Sequence, residues 1–327
     1  MRIDGTIHGR DAQPSVVPID AQRCLAVVDT PERPPELCTI DMVSGDVRAL
    51  THLNDDAVPG VDRMPHEAVT WRSDDLEIHG GLIRARDHGD GPLPLVVFVH
   101  GGPTWLWSTA YSPAESNQLA LPVASMGAHV LLPNPRGSSG RGLDYADAVA
   151  GHVGDVDVRD LLAGVDDLVE RGLVDPDRVA VVGTSYGGYM AAWLAARGDR
   201  FRCAAAFSLV ADWNSFALTS AIGGGFERIY FPGADPATPA GRDELARRSP
   251  VHHVGPEAAP LLVLHGDADR ITPIGQADAV RQAWRRAGRD VEVVVYPGEG
   301  HELVDPVHRR DAARRVLAFL GAHGILE

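Results

Sequence analysis

Residues Arg178-Val-Ala-Val-Val-Gly-Thr-Ser-Tyr-Gly-Gly-Tyr-Met-Ala-Ala-Trp-Leu-Ala-Ala196 form an apolar run, a glycine-bounded turn and a small-residue stretch without interruption. That succession makes Gly183-Thr184-Ser185-Tyr186-Gly187 a nucleophile elbow, a strained strand-to-helix turn that projects the Ser185 hydroxyl from the end of a sheet. The helix N-terminus behind it supplies backbone N–H groups. Gly183, Gly187 and Gly188 suit the turn, because side chains there would collide where strand and helix cross. A bare Gly-x-Ser-x-Gly is also a common glycine-rich turn. The strand before it and the helix after it carry the reading toward catalysis.

Two further strand ends supply partners. Pro260-Leu-Leu-Val-Leu264 runs into the acidic loop His265-Gly-Asp-Ala-Asp-Arg270, and Val291-Glu-Val-Val-Val-Tyr296 runs into Pro297-Gly-Glu-Gly-His301. Loops that follow strands in an open α/β sheet converge on one edge. A serine hydroxyl is a weak nucleophile until an imidazole takes its proton, and the imidazole needs a carboxylate to fix its tautomer and stabilise its charged form. The chain holds 14 histidines, most of them ordinary surface or core residues, and position after the last strand selects His301 as base. Asp269 and Asp267 compete for the acid role. Asp269 is favoured, and Asp267 is assigned to bracing the loop, a common task for a turn carboxylate. Pro94-Leu-Val-Val-Phe-Val99 is another buried strand, ending in His100-Gly-Gly-Pro103. The N–H of Gly102, with the N–H of Tyr186, would form an oxyanion hole; a tight structural turn would need the same glycines.

With these blocks in place the chain resembles the prolyl oligopeptidase family of serine peptidases, most closely its acylaminoacyl-peptidase and dipeptidyl-peptidase-like branch. Leu132-Pro-Asn-Pro-Arg-Gly-Ser-Ser-Gly140, Asp157-Val-Arg-Asp-Leu161, Val174-Asp-Pro-Asp-Arg178, Asp212-Trp213 and Arg248-Ser-Pro250 extend the likeness in the family's order. The resemblance implies an α/β-hydrolase fold, a mostly parallel twisted sheet with helices on both faces, over residues 67–327. It carries over Ser185 as nucleophile, Asp269 as acid, His301 as base, and Gly102 and Tyr186 as oxyanion donors. His100 stands where prolyl oligopeptidases proper have a tyrosine, which argues against proline-specific cleavage and for the acylaminoacyl-type branch.

Composition narrows the class. A chain of 327 residues, 44% hydrophobic, can bury a large core. A formal charge of −15 would repel nucleic acid and anionic membrane, so neither is expected as a partner. All basic residues are arginine, which leaves no Schiff-base lysine. Cys24, Cys38 and Cys203 lack metal-ligand spacing and cannot all pair; a reducing compartment is the simplest reading. With no apolar leader at Met1-Arg-Ile-Asp and no transmembrane-length run, a cytoplasmic protein is expected. No metal and no cofactor is expected, since the chain has neither His-Glu-x-x-His nor clustered His and Cys ligands.

Residues 1–66 read as an N-terminal β stub. Cys24–Val28, Leu37–Met42 and Asp46–Leu50 are strand-like, Pro31 to Pro35 separates the first two, and Ser44-Gly45 turns between the second and third. In the resembled family this looks like a last propeller blade. One such sheet must cover its apolar face and edges, against the hydrolase domain, a second copy (a homo-oligomer) or a separate chain. Residues 211–248, with Trp213, Phe216, Phe226, Tyr230 and Phe231, read as a helical lid lining an apolar acyl pocket. Trp105 and Trp107 are read at its rim, and Arg136 and Glu227 facing the cleft. The leading function is a serine hydrolase that cleaves peptide or amide bonds of a peptide or small acyl substrate through an acyl-enzyme on Ser185. The same triad would serve an acyltransferase, a peptide cyclase or an esterase, and a non-catalytic binding subunit is the reading from another class.

Overall fold

The structure, a computed structural model, describes residues 6–7, 16–30, 33–53, 66–86, 91–108, 119–198 and 200–327. Its N-terminal part is a five-stranded antiparallel sheet of β1 (Thr6–Ile7), β2 (Val16–Pro18), β3 (Arg23–Thr30), β4 (Arg33–Asp41) and β5 (Val47–Ala49), with β1 and β2 both paired to β3. The three strand-like runs became β3, β4 and β5. Two short strands, β1 and β2, lack an apolar run long enough to be seen in the sequence. Period-two alternation puts Cys24, Ala26, Val28, Cys38 and Ile40 on one buried face. Pro31, expected in the link between β3 and β4, lies outside the described residues, as do 54–65; the expected domain boundary between residues 66 and 67 falls at the start of the next described strand.

The C-terminal part is an eight-stranded sheet. Strands β6 (His66–Ser73), β7 (Leu76–Ile83), β8 (Leu93–Val99), β9 (His129–Asn134), β10 (Val174–Thr184), β11 (Cys203–Phe207), β12 (Leu261–Gly266) and β13 (Val291–Tyr296) lie in the order β13-β12-β11-β10-β8-β9-β7-β6. From β13 to β9 neighbours are parallel, and β7 and β6 close the far edge antiparallel. Parallel strands buried on both faces read as near-continuous apolar runs, which is why Pro94–Val99 and Pro260–Leu264 were legible. In β8, Leu95, Val97 and Val99 enter one core while Val96 and Phe98 enter the other.

Two layers of helix cover these faces. In chain order the helices are α1 (Ala120–Ser125), α2 (Leu143–Asp147), α3 (Val156–Glu170), α4 (Tyr186–Arg197), α5 (Trp213–Thr219), α6 (Gly223–Tyr230), α7 (Pro239–Arg247), α8 (Gly275–Arg286) and α9 (Pro306–Ala322). The core that includes Leu161 of α3, Trp193 of α4 and Trp284 of α8 lies on one face; Val123 of α1 and Val316 of α9 pack on the other. Each fully buried apolar side chain of that size contributes roughly 1.5–3 kcal/mol. Asp305 caps α9 by accepting the Val307 N–H at 2.7 Å, with Pro306 in the first turn. The chain leaves β8 toward β9 on one side and reaches β10 on the other, so the ends of β8 and β10 form the crevice where ligands bind in such sheets. Residues 211–248 connect β11 to β12 through α5, α6 and α7, so the expected lid segment is helical. Among the described residues no helix is long and apolar enough to cross a membrane.

Candidate active site

Ser185 stands between β10 and α4 with φ 60° and ψ −116°, a conformation that costs an L-residue about 1–3 kcal/mol and persists only where its surroundings enforce it. Close packing does so here. A Cβ on Gly187 would run into the Val99 carbonyl, one on Gly183 into the Gly187 carbonyl, and one on Gly188 would lie 2.6 Å from the Phe207 carbonyl oxygen. The Ser185 N–H donates to the Phe207 carbonyl at 2.9 Å, which fixes the elbow to the end of β11.

The same strand end holds the imidazole loop. Ser208, with φ 45°, donates its hydroxyl to the His301 carbonyl at 2.8 Å. From Ser185 to His301 the path is therefore one main-chain bond, one residue and one side-chain bond. His301 Nδ1 lies 2.8 Å from Asp269 Oδ2, and the carboxylate is fully buried while the imidazole is 24% exposed. Asp269 Oδ1 accepts the N–H groups of Ile271 at 2.8 Å and Thr272 at 2.9 Å. Burial pushes the Asp269 pKa up, but the His301 and Thr272 hydrogen bonds outweigh it and hold the group below the usual carboxylate value. A charged acceptor at Nδ1 fixes the proton there and leaves Nε2 to accept one.

Two braces were not singled out from the sequence, and a third was. The Thr272 hydroxyl lies 2.7 Å from Asp269 Oδ2, 2.9 Å from the Ser208 carbonyl and 3.3 Å from His301 Nδ1, knitting all three loops. Glu299, 2% exposed, accepts the N–H groups of Val304 and Asp305 and lies 2.7 Å from His308 Nδ1, which holds the loop that carries His301. Asp267 Oδ1 accepts the Gly298 N–H at 2.7 Å, the bracing role expected of it. Short-range patterns could not reveal the first two, because their partners come from other strand ends.

On the other side of Ser185 stands the glycine turn. A Cβ on Gly101 would sit 3.5 Å from Ser185 Cβ, and Gly102 is exposed at φ 115°. Tyr186 opens α4, where helix N–H groups have no intrahelical acceptor. His100 Nε2 lies 2.9 Å from the Ser138 hydroxyl, and burial lowers its pKa to about 4, so it stays neutral. The Tyr186 hydroxyl donates to the buried carboxylate of Asp157, which also accepts the Gly154 and Val158 N–H groups.

The prolyl oligopeptidase family profile matches residues 115–324, more than half of the chain, and takes in both the elbow and the acid and imidazole loops. The chain belongs to the prolyl oligopeptidase family. It is 32% identical over 305 residues to the uncharacterized peptidase YuxL of Bacillus subtilis, covering 91% of this chain and 44% of that one. It is 30% identical to acylamino-acid-releasing enzyme 2 of rice (Oryza sativa subsp. japonica), covering 79% and 32%. Among solved structures, an acylaminoacyl peptidase in complex with Z-Gly-Gly-Phe-chloromethyl ketone superposes with a TM-score of 0.82 at 26% identity, over 92% of this chain and 48% of that one. The chain thus spans less than half the length of each of these relatives.

Within this prolyl oligopeptidase-family domain, several residues expected at the substrate do other work. Arg136, read as a cleft residue, is 8% exposed. Its Nε and Nη2 donate to Asp160 at 2.6–3.1 Å and Nη2 reaches Asp74 at 2.8 Å, so it clamps β9 to α3. The Asp160 bonds outweigh burial and keep it cationic. Trp213 and Phe216, expected to line an acyl pocket, are 1% and 2% exposed and pack with Phe226 and Tyr189 as core between α5, α6 and α4. Trp107 is likewise buried, its Nε1 donating to the Phe98 carbonyl at 2.8 Å. Trp105 is half-buried beside the glycine turn, and Phe226, Tyr230 and Glu227 are half-buried on α6.

Proposed function

We propose that this chain is a serine peptidase domain that cleaves the amide bond of amino-blocked short peptides through an acyl-enzyme on Ser185. The observation that carries the reading is the 2.8 Å contact between His301 Nδ1 and buried Asp269, held by Ser208 and Thr272 to the end of β11, to which the strained Ser185 is hydrogen-bonded. In the reaction the Ser185 oxygen bonds the substrate carbonyl carbon as its proton passes to His301 Nε2. The carbonyl oxygen becomes an oxyanion received by the N–H groups of Gly102 and Tyr186. As the C–N bond breaks, His301 returns the proton to the leaving amine. Water then adds to the ester carbonyl, its proton moves to His301, the C–O bond to Ser185 breaks, and Ser185 recovers its hydrogen.

Two features support amino-blocked peptides as the class. The relatives include acylamino-acid-releasing enzymes, and the solved acylaminoacyl peptidase carries an amino-blocked peptidyl ketone ending in phenylalanine. Incubation with acetylated tripeptides, followed by mass spectrometry, tests the reading. The expected products are an acetylated amino acid and a dipeptide, formed by the wild type and not by Ser185→Ala. Equal cleavage by Ser185→Ala would contradict it.

A further inference from the structure

A cavity of about 500 Å³ opens beside His301, on the face of the sheet opposite Tyr186 and Trp213. Leu119, Phe207, Leu303 and Leu317 make its walls apolar. Thr184, the residue before the nucleophile, also lines it, and its hydroxyl is buried with no hydrogen-bond partner. Arg309 and Arg310, on α9, line the same cavity; both are exposed, and neither guanidinium enters an ion pair or hydrogen bond among the described residues. One acid, Glu302, shares the wall, leaving an excess of positive charge in a chain whose net charge is −15.

The position of His301 decides which half of a substrate this cavity serves. Its imidazole hands a proton to the departing amine, so the departing group lies on its side of Ser185. We infer that the cavity is a leaving-group subsite for short peptides that end in an apolar residue with a free carboxylate, the side chain held by the leucine walls and the carboxylate by Arg309 and Arg310. A guanidinium fork matches a carboxylate in charge and plane. The inference rests on the acyl-enzyme reading and deepens it, since it names the departing half of the substrate.

Binding can be read without turnover. The test is calorimetric titration of the Ser185→Ala protein with the dipeptide Leu-Phe, its carboxamide and decanoate, beside kcat/KM of the wild type on acetyl-Ala-Leu-Phe and its carboxamide. A charge-assisted contact predicts that the acid is favoured over the amide by about tenfold or more, both in affinity and in kcat/KM. The preference collapses in the Arg309→Gln/Arg310→Gln pair and returns in part in the Arg309→Lys/Arg310→Lys pair, which keeps the charge without the fork. Equal binding of acid and amide, a preference that survives the glutamine pair, or decanoate binding tighter than either dipeptide would overturn the inference. If the wild type cleaves neither substrate while Ser185→Ala keeps an arginine-dependent preference for the acid, the hydrolytic reading fails and the carboxylate site stands.

Discussion

Asp269 keeps its charge inside the fold because hydrogen bonds from His301 and Thr272 outweigh burial, and that charge gives the imidazole its tautomer. Asp269→Asn is therefore expected to leave a folded protein whose kcat falls on the order of 10⁴-fold, by analogy with other triads. Asp267→Asn removes only the bond to Gly298 and is expected to cost much less; steady-state kinetics on the same peptide amide separates the two, and the reverse ranking would reassign the acid. A second carboxylate behaves oppositely. Burial raises the Asp157 pKa to about 6 against an ordinary value of 3.8, despite the bond from Tyr186. The folded state then binds this proton more tightly than the unfolded chain, so its stabilising contribution is complete below about pH 4 and is lost as pH rises through about 6. Relative to Asp157→Asn, the wild type is expected to lose on the order of a few kcal/mol across that window. Urea unfolding of both proteins at about pH 4 and about pH 7 measures it, and a pH-independent difference would contradict it. Ser185, Asp269 and His301 were singled out because each sits at the end of a strand run or in the loop that follows it. Thr272, Ser208 and Glu299 were not, since a threonine in a loop declares its partner only once the loops meet.

Elements were legible to the degree that burial wrote itself into local pattern. Strands β8, β12 and β13 begin within a residue of the apolar runs that announce them. Strand β10 starts earlier, at Val174, because its pairing with β8 resumes across a register shift between Val174 and Val179. The aromatic residues between β11 and β12 show the limit of such reading. A stripe of Trp213, Phe216 and Phe226 is chemically identical whether it lines a pocket or fills a core, and only packing decides; here Trp213 and Phe216 are closed off. Arg136 makes the same point for charge, as its partners Asp160 and Asp74 lie on α3 and after β6. Arg136→Ala leaves Asp160 buried and unpaired, so a loss of about 3–5 kcal/mol is expected in chemical denaturation. An unchanged midpoint with a raised KM would instead return Arg136 to the substrate.

At the scale of the whole molecule, two sheets divide the chain. The N-terminal one carries a small core around Cys38 and Ile40 and leaves Val17 60% and Val43 74% exposed. The larger one gathers the loops after β8, β10, β12 and β13 at a single edge, so residues from Gly101 to His301 in sequence share one crevice. Its negative net charge meets a local exception in Arg309 and Arg310, beside the proposed departure side. The account as a whole turns on Ser185 being the activated nucleophile. A fluorophosphonate probe applied to the intact protein, with the adduct located by peptide mass spectrometry, tests that most directly. Stoichiometric labelling of Ser185 in the wild type, lost in His301→Ala, is the expected result; folded protein that stays unlabelled, or is labelled at another residue, would contradict the account.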